Sequence, residues 1–400
     1  MIANFYMPTR LVHGPGALGQ IGALARGLGM TRAMVVSDPA IAATAFYHGA
    51  LASLRAAGLD VATFEGCGID ARLAHVDGEA ERVRSEARDG VIAIGGGSVI
   101  CTAKGIAIVA PNGKSFADMT GVANFRNKAL PMIMAPTTAG SGSEVSQFTL
   151  VKDEATHRKL VGGGPLSFPD VAILDPVTLA TLPPRAAAGS AVDALTHAVE
   201  ALFSALATPL TDALALESVR LQAGSMRRSI LSDDETARAN NLLASSMANM
   251  ACGNARLGLA HTLSLPLEAR LDLPHTIGVG VLIPRVVAFN APVAPEKARA
   301  LALALGATPA DDLRGTVAAI RDAFFRLFED VGTPTHLTQE QLPEARLAEM
   351  AAAAIPGLYG GAMPEGEVRD SHVIHQPGVR RATVGEARAL YAQCYGRGAA

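Results

Sequence analysis

The sequence has few aromatic residues and few charges, and these shortages exclude two kinds of partner. It contains no tryptophan among its 400 residues, and aromatic residues make up 4% of the chain. Proteins that bind single-stranded nucleic acid stack the bases on aromatic rings, so we do not expect such a platform here. Charged residues make up 18%, the formal net charge is −3, and no long run of lysine and arginine occurs. We therefore expect no nucleic-acid partner.

Cysteines and long apolar runs are also scarce. The four cysteines are widely separated and form no C-x-x-C pair: Cys67, Cys101, Cys252 and Cys394. Neither a disulfide framework nor a thiolate zinc site is indicated. No segment offers about 20 unbroken apolar residues, which a membrane-spanning helix requires. The opening residues, MIANFYMPTRLVHG, lack the apolar core of a signal peptide, so we expect a cytoplasmic protein without a membrane partner.

The pattern of hydrophobic residues changes once along the chain, at Pro183-Pro184. Before this point short apolar runs alternate with helical stretches, which is typical of parallel strands joined by crossover helices. The predicted strands are Ala33–Ser37, Val61–Glu65, Gly90–Ile94, Leu130–Ala135 and Val171–Leu174. Beyond it, long stretches at helical spacing dominate, such as Ser190–Leu206 and Asp212–Ser229. We predict an α/β dinucleotide-binding domain over residues 1–184 and an all-α domain over residues 185–400.

Two glycine-rich segments compete for the role of a phosphate-binding loop. The segment 14–19 matches G-x-G-x-x-G, and Asp38 follows at the spacing of a ribose-binding acid. The alternative for this segment is a tight turn that enters a helix. The second segment, Gly95-Gly96-Gly97-Ser98, directly follows an apolar strand and precedes a helical stretch. Glycines there would let the backbone approach a pyrophosphate at a helix N-terminus, so we favour the second segment.

Asp38 has two interpretations that the sequence leaves open. At the end of a strand, its carboxylate could accept hydrogen bonds from the adenosine ribose, which would favour NAD over NADP. Directly before Pro39 it could instead be the N-cap of a short helix.

Three histidines and one aspartate form a candidate metal site. Asp193 and His197 are four residues apart in a predicted helix, so their side chains share one face. By themselves they could be a surface pair of little consequence. His261 lies in an apolar helical stretch and His275 follows a proline at the start of another. Each could be a core histidine, but three nitrogens and one oxygen without cysteine suit Fe²⁺ or Zn²⁺.

Taken together, several strings make the chain resemble the iron-containing (group III) alcohol dehydrogenases, which have a dehydroquinate synthase-like fold. The resemblance spans nearly the whole chain, and its specificity lies in the order and spacing of the strings. They are Pro8-Thr9-Arg10, Gly14–Gly16, Gly95–Ser98 with Lys104, the segment 135–144 (APTTAGSGSE), Leu174-Asp175-Pro176, Leu182-Pro183-Pro184, 193–197 (DALTH), His261 and Pro274-His275.

The resemblance implies an NAD(H)-linked enzyme that interconverts a small primary alcohol and its aldehyde, with its active site in a cleft between two domains. It places the metal ligands at Asp193, His197, His261 and His275. It places cofactor contacts at the following residues: Gly95, Gly96, Gly97, Ser98, Thr137, Thr138 and Lys159. The segment 14–19 then becomes a turn near the N-terminus. A homodimer or a larger assembly is also implied.

The sequence departs from the family pattern near the predicted site. Leu265 stands where the family carries a second histidine, often assigned to proton relay, and Cys101 stands where it carries an aspartate. The family's P-N-P-T loop is replaced by 69–72 (IDAR), and Thr276 replaces a glycine. Arg256 and Arg270 flank the His261 segment. They are either a solvated face or, for one of them, an anchor for an acidic group of the substrate.

Three alternatives remain open from the sequence. A dehydroquinate synthase-like enzyme would need a cluster of cationic residues for a phosphorylated sugar, and few surround the predicted ligands. A glycerol dehydrogenase-like enzyme would use zinc with fewer ligands. A non-catalytic NAD- or metal-binding homologue would be consistent with Leu265 and Cys101. The segment 362–381, with His372 and His375, has no chemical interpretation.

Overall fold

The computed structural model describes residues 4–156, 158–358 and 378–396, which divide into two units. One unit spans Met7–Leu182, and the other begins at Pro183 and also includes residues 4–6. In the second unit the backbone N–H of Tyr6 donates to Asn254 Oδ1 at 2.8 Å. The predicted boundary at residue 184 differs from this division at 182, and residues 4–6 were assigned by sequence to the other domain.

The first unit is built on a sheet whose inner strands are buried on both faces. The described strands, in chain order, are β1 (Arg10–His13), β2 (Arg32–Val36), β3 (Asp60–Phe64), β4 (Gly90–Gly95), β5 (Gly121–Val122), β6 (Met132–Pro136), β7 (Phe148–Asp153), β8 (Arg158–Gly163) and β9 (Val171–Leu174). Six of them form a sheet of order β1-β9-β6-β4-β2-β3, and every pairing in it is parallel. Such a sheet is expected where the inner strands, here β2, β4, β6 and β9, are apolar on both sides.

Helices cover both faces of this sheet. They are α1 (Ile21–Gly27), α2 (Pro39–Ala42), α3 (Ala45–Ala56), α4 (Leu73–Ser85) and α5 (Gly97–Asn112). Successive residues of β4 point into two separate cores: Val91 and Ala93 into one, Ile92 and Ile94 into the other. This alternation is the two-residue period of a strand.

The strands predicted from the sequence did not include β1, the two-residue β5 or the antiparallel pair β7–β8. β1 has four residues, too few to display a period, and it joins the sheet through register with β9. The β7–β8 hairpin pairs with β5 in a second sheet of three strands, and polar residues such as Lys152 and Arg158 interrupt its apolar pattern. Pairing between strands, which the sequence does not display, therefore created these elements.

The described residues of the second unit form helices and connecting loops, and their β-pairing is limited to isolated bridges. Its α-helices are α6 (Pro184–Leu202), α7 (Pro209–Leu231), α8 (Glu235–Ala255), α9 (Leu259–Leu271), α10 (His275–Asn290), α11 (Pro295–Ala304), α12 (Leu313–Asp330), α13 (Leu347–Leu358) and α14 (Val384–Ala392). α6 begins at Pro184, earlier than predicted, because proline is well suited to the first position of a helix. One apolar core joins these helices.

α10 is the most apolar of the helices that carry the predicted site. By length and composition the segment His275–Val293 could cross a membrane, but 67% of its most apolar window is buried inside the protein. It therefore has the character of a core helix.

The segment 362–381 lies largely outside the described residues, including His372 and His375. Its last residues pack on the helical unit. Val379 donates its backbone N–H to the carbonyl of Phe203 at 2.9 Å, and the Arg380 guanidinium lies 3.9 Å from the centroid of the Phe289 ring.

Candidate active site

The four residues predicted as metal ligands lie together in the helical unit. α6 supplies Asp193 and His197, α9 supplies His261 in its first turn, and α10 begins at His275. The Nε2 atoms of the three histidines lie 3.5, 3.5 and 3.4 Å from Asp193 Oδ1, in the order His197, His261 and His275. The His197 and His261 rings are stacked, with centroids 4.9 Å apart.

This spacing fits a divalent cation. Two ligand atoms about 2.1 Å from one ion stand about 3.0–3.4 Å apart at octahedral to tetrahedral angles. Among the described residues, Asp193 Oδ1 is buried and has no hydrogen-bond partner. A buried carboxylate oxygen in that condition is costly unless a cation satisfies it. Asp193, His261 and His275 form the tightest group, with one ligand atom of each within 4.8 Å of the others.

The electrostatics of the cluster favour a carboxylate anion at its centre. Burial would raise the pKa of Asp193, but the three imidazoles, His197 foremost, hold it well below its usual range. Burial lowers the pKa of His197 to about 4. Burial also opposes charge on His275, yet Asp193 and Glu268 together raise the pKa of that histidine to about 10. The cluster therefore attracts positive charge.

Two glutamates that the sequence analysis missed stand behind the histidines. His261 Nδ1 lies 2.6 Å from Glu200 Oε2, and His275 Nδ1 lies 2.6 Å from Glu268 Oε1. Glu200 lies three residues after His197 on α6, and Glu268 lies seven residues after His261 on α9. Helical spacing therefore carried a signal for both, because such positions share a face.

The glycine loop lies where a parallel sheet binds ligands. Gly95 ends β4, Gly96 is the N-cap of α5 and Gly97 begins it. β2 and β4 are neighbours, but the chain leaves β2 for β3 on one side and leaves β4 for β6 on the other. Ligands bind at such a switch point, outside the carboxyl ends of the strands. The unpaired amides of the first helical turn suit a phosphate.

Packing explains two of the three glycines without a ligand. A Cβ on Gly95 would stand 2.6 Å from Val99 Cβ, and one on Gly97 would stand 2.9 Å from Ser141 Oγ. Close packing therefore accounts for Gly95 and Gly97, and their presence does not by itself indicate a phosphate. The position of the loop at the switch point is the stronger indication.

Asp38 follows β2 at the same edge of the sheet and caps α2. Its Oδ1 accepts hydrogen bonds from the amides of Ala40 and Ile41 at 2.9 and 3.0 Å. The capping interpretation thus describes Oδ1, and Oδ2 takes no part in these two bonds.

The segment 14–19 forms a turn with Gly14 and Gly16 in left-handed conformations, followed by a short helix. This is the turn interpretation of that segment.

The other predicted cofactor residues lie at different distances along the chain from the glycine loop, and two of them border it. Thr137 follows β6, next to β4, and donates its backbone N–H to the carbonyl of Gly95 at 3.0 Å. The Thr138 methyl would lie 3.4 Å from a Cβ on Gly96. Ser98 Oγ donates to the carbonyl of Ile69, and Lys159 lies exposed on β8. Thr137 and Thr138 therefore border the glycine loop directly.

Lys104 organises the segment beside this loop. It is fully buried, and its ammonium donates to the carbonyls of Ser143, Ser146 and Phe148 at 3.2, 2.5 and 2.5 Å. Burial lowers its pKa to about 8. These three hydrogen bonds hold the end of the Gly-Ser-rich segment 140–146 and the first residue of β7 in place.

The single-residue departures from the family pattern lie mostly in the helical unit, and Cys101 lies in the first unit. Leu265 lies on α9, one turn after His261, and is 37% exposed. Cys101 is buried in α5 of the other unit. Arg270 forms an ion pair with Glu349 at 2.8 Å, which is the solvated-face interpretation. Thr276 packs against α6, where a Cβ on Gly189 would stand 2.9 Å from Thr276 Oγ1.

Arg256 lies in the turn between α8 and α9 with a left-handed backbone, at φ 72°. Its guanidinium donates to the carbonyl of Gly253. The buried Cys252 thiol is within electrostatic reach of Arg256 as well as of Asp193 and Glu200, and its pKa is raised, by burial first. Arg256 is therefore a half-buried cation in the turn that leads into α9, the helix that carries His261.

A parallel α/β unit with a glycine loop at its switch point, and a helical unit with an N₃O cluster, define a metal-dependent dehydrogenase. The iron-containing alcohol dehydrogenase family matches residues 8–176, and the C-terminal family of the Fe-containing alcohol dehydrogenases matches residues 187–370. The chain belongs to the iron-containing alcohol dehydrogenase family. It is an alcohol dehydrogenase or aldehyde reductase of the iron-containing type.

Relatives agree with this assignment. The 1,3-propanediol dehydrogenase of Citrobacter freundii is 34% identical over 359 residues, which are 88% of this chain and 92% of that protein. The lactaldehyde reductase of Escherichia coli K12 is 32% identical over 88% of this chain and 92% of that enzyme. A crystal structure of 1,3-propanediol oxidoreductase, 29% identical, matches with a TM-score of 0.90 over 99% of this chain and 100% of the other. The sulfoacetaldehyde reductase of Bifidobacterium kashiwanohense in complex with NAD⁺ has the same fold, with a TM-score of 0.85 at 24% identity over 98% and 99% of the two chains.

Proposed function

We propose that Asp193, His197, His261 and His275 hold one divalent cation, Fe²⁺ or Zn²⁺, at which a small primary alcohol and its aldehyde are interconverted with NAD(H). The observation that carries this proposal is the placement of three imidazole Nε2 atoms 3.4–3.5 Å from the buried Oδ1 of Asp193. The cation, when bound, polarises the oxygen of the substrate as a Lewis acid.

The first unit would hold the cofactor at the carboxyl ends of its parallel strands. The amides of Gly97 and Ser98 at the start of α5 suit the pyrophosphate, and Gly96 keeps the approach open. The remaining oxygen of Asp38 suits the ribose hydroxyls and repels a 2′-phosphate. Thr137 and Thr138 border the same loop, and Lys159 is proposed as a ribose contact on the strength of the family resemblance.

A second candidate function uses fewer ligands. Asp193, His261 and His275 by themselves form the compact group, which would suit a glycerol dehydrogenase-like zinc enzyme. His197→Ala separates the two. Metal binding and turnover that survive in this variant favour the three-ligand enzyme, whereas loss of both favours the four-ligand site.

The primary experiment follows NADH oxidation by the apo protein after anaerobic reconstitution with Fe²⁺ or Zn²⁺. The substrates are short neutral aldehydes alongside carboxylated and sulfonated ones. We expect turnover that requires the metal and is lost in His261→Ala. His336→Ala is the matched control, because that histidine lies on the same unit but outside the cluster. Metal and NAD binding without any turnover would favour the non-catalytic homologue.

We further propose that Arg256 anchors an acidic group of the substrate. Its support is the position of this cation in the turn directly before α9, the helix that carries both His261 and Leu265. Arg256→Ala is expected to raise KM for anionic aldehydes about tenfold or more and to leave neutral ones nearly unchanged. Arg270→Ala is the control, because Glu349 already engages that guanidinium. Equal losses for both aldehyde classes would refute the anchor.

Cys101 is proposed as a neighbour of the nicotinamide by resemblance alone.

A cytoplasmic homodimer or larger homo-oligomer is the proposed state. Its support is that the described cysteines are all free and buried, and that β1 is an edge strand able to pair further. Light scattering on the purified protein and fractionation of the cells test the two statements separately.

A further inference from the structure

Two of the three clustered histidines are backed by a carboxylate, and the third is not. The Nδ1 atoms of His261 and His275 each face a glutamate oxygen at 2.6 Å, on the opposite side of the ring from the Nε2 that faces Asp193. His197 Nδ1 is buried and has no hydrogen-bond partner among the described residues. The histidines are therefore held unequally.

Glu200 is held rigidly by the backbone. It is 3% exposed, and it accepts hydrogen bonds from the amides of Gly258 at 2.9 Å and His261 at 3.3 Å, and also from that of Ala260. These amides form the start of α9, where a carboxylate is favoured by unpaired N–H groups. Because Glu200 also satisfies backbone donors, its removal would disturb folding as well as His261.

Glu268 contacts side chains, whereas Glu200 also accepts hydrogen bonds from backbone amides. It lies on α9 and reaches His275 at the first position of α10, across the short connection between the two helices. Ser264 Oγ donates to the same oxygen, Oε1, at 2.9 Å. Ser264 also lies one turn before Glu268 on α9, so the hydroxyl and the imidazole together fix the direction of the carboxylate.

A carboxylate at Nδ1 decides which nitrogen of the ring carries the proton. It keeps the hydrogen on Nδ1, leaves the lone pair on Nε2 for a cation, and stops rotation of the ring. We propose that Glu268 is a positioning residue that fixes the tautomer and the orientation of His275, as Glu200 does for His261. This inference rests on the proposed metal site, and it predicts that His275 is not an adequate ligand without Glu268.

The test compares Glu268→Ala, Glu268→Gln and a control, Glu217→Ala. Glu217 forms an exposed ion pair with Arg220 on α7. Binding of Zn²⁺ and Co²⁺ to the full-length apo protein is measured by competition with a chromophoric chelator. The visible spectrum of the Co²⁺ form and the thermal midpoint of the apo protein are recorded in parallel.

We expect Glu268→Ala to bind both metals about 10- to 100-fold more weakly, with an altered Co²⁺ spectrum. Glu268→Gln should recover most of the affinity, because its carbonyl oxygen still accepts the Nδ1 hydrogen. The thermal midpoints of the apo variants should stay close to that of the control.

Two results would overturn the inference. One is a Glu268→Ala protein whose metal affinity and Co²⁺ spectrum equal those of the control. The other is a loss of affinity that glutamine does not restore and that accompanies an equal loss of apo stability, which a purely structural role produces. A native protein that binds neither metal would instead contradict the proposed function itself, so the two failures are distinguishable.

Discussion

Replacing Gly280 by alanine is expected to destabilise the helical unit and to weaken metal binding. Gly280 lies in the middle of α10, and a Cβ there would stand 2.7 Å from Val192 Cγ1. Val192 is fully buried on α6, directly before Asp193. α10 begins at His275, so the added methyl group would press apart the two helices that carry Asp193 and His275.

The magnitude follows from a matched glycine. Alanine is favoured over glycine inside a helix by about 0.5–1 kcal/mol, wherever the methyl group meets no neighbour. Gly224 on α7 is such a position, because a Cβ added there would meet no side chain or other segment of the chain within 4 Å. At Gly280 the same gain is opposed by an overpacking cost of about 1–3 kcal/mol. The two variants should therefore differ by about 1–3 kcal/mol in the free energy of unfolding.

The assay is urea unfolding of the apo proteins, followed by circular dichroism, together with Zn²⁺ titration of each. We expect the midpoint of Gly224→Ala to lie above that of the native protein and the midpoint of Gly280→Ala below it. Zinc affinity should fall in Gly280→Ala alone. If both variants are equally stabilised, Val192 yields freely and the packing reasoning is wrong.

Three further predictions address the two sites. The pKa of His275 is raised to about 10, so this histidine is protonated at neutral pH and a metal must displace its proton. Burial opposes charge on His261 too, but Glu200 and Asp193 raise the pKa of that histidine as well. Metal affinity should therefore rise at least about tenfold per pH unit between pH 6 and 8, and isothermal titration in two buffers should detect at least one released proton, whereas no release would contradict it. Lys104→Met should lower the free energy of unfolding by about 2 kcal/mol and weaken NADH binding, because three carbonyls lose their hydrogen-bond donor. The control is Lys128→Met, since that lysine is exposed. Equal effects of the two substitutions would refute the role of Lys104 in holding the segment beside the glycine loop. Asp38→Asn should keep the cap, and thus the stability, while raising the use of NADPH relative to NADH; an unchanged ratio in steady-state kinetics would limit Asp38 to capping.

The sequence was most informative where an element is defined by its own residues. The inner strands β2, β4, β6 and β9 are mostly apolar runs. These four strands and the edge strand β3 were each predicted within two residues of their observed starts. Asp193 and His197 could be placed on one helical face because a spacing of four residues fixes their separation wherever the helix packs. The same spacing rule, applied to Glu200 and Glu268, would have marked both.

Other features depended on segments that are distant in the chain. No local pattern brings His261 and His275 to Asp193; the packing of α9 and α10 against α6 does so. The partner of each Nδ1 and the need for glycine at positions 95 and 97 are also set by neighbours from elsewhere in the fold.

By itself the sequence determined the two regimes of secondary structure, the glycine loop after a buried strand, and the residue types of the N₃O set. These depend on periodicity and residue chemistry, which are local properties of the chain. The tertiary structure alone decided that four groups converge on one point, that Asp38 caps a helix, and which carboxylate backs which histidine. Such distances arise from the packing of helices and strands remote in sequence, and side-chain packing is cooperative, so it cannot be read one segment at a time.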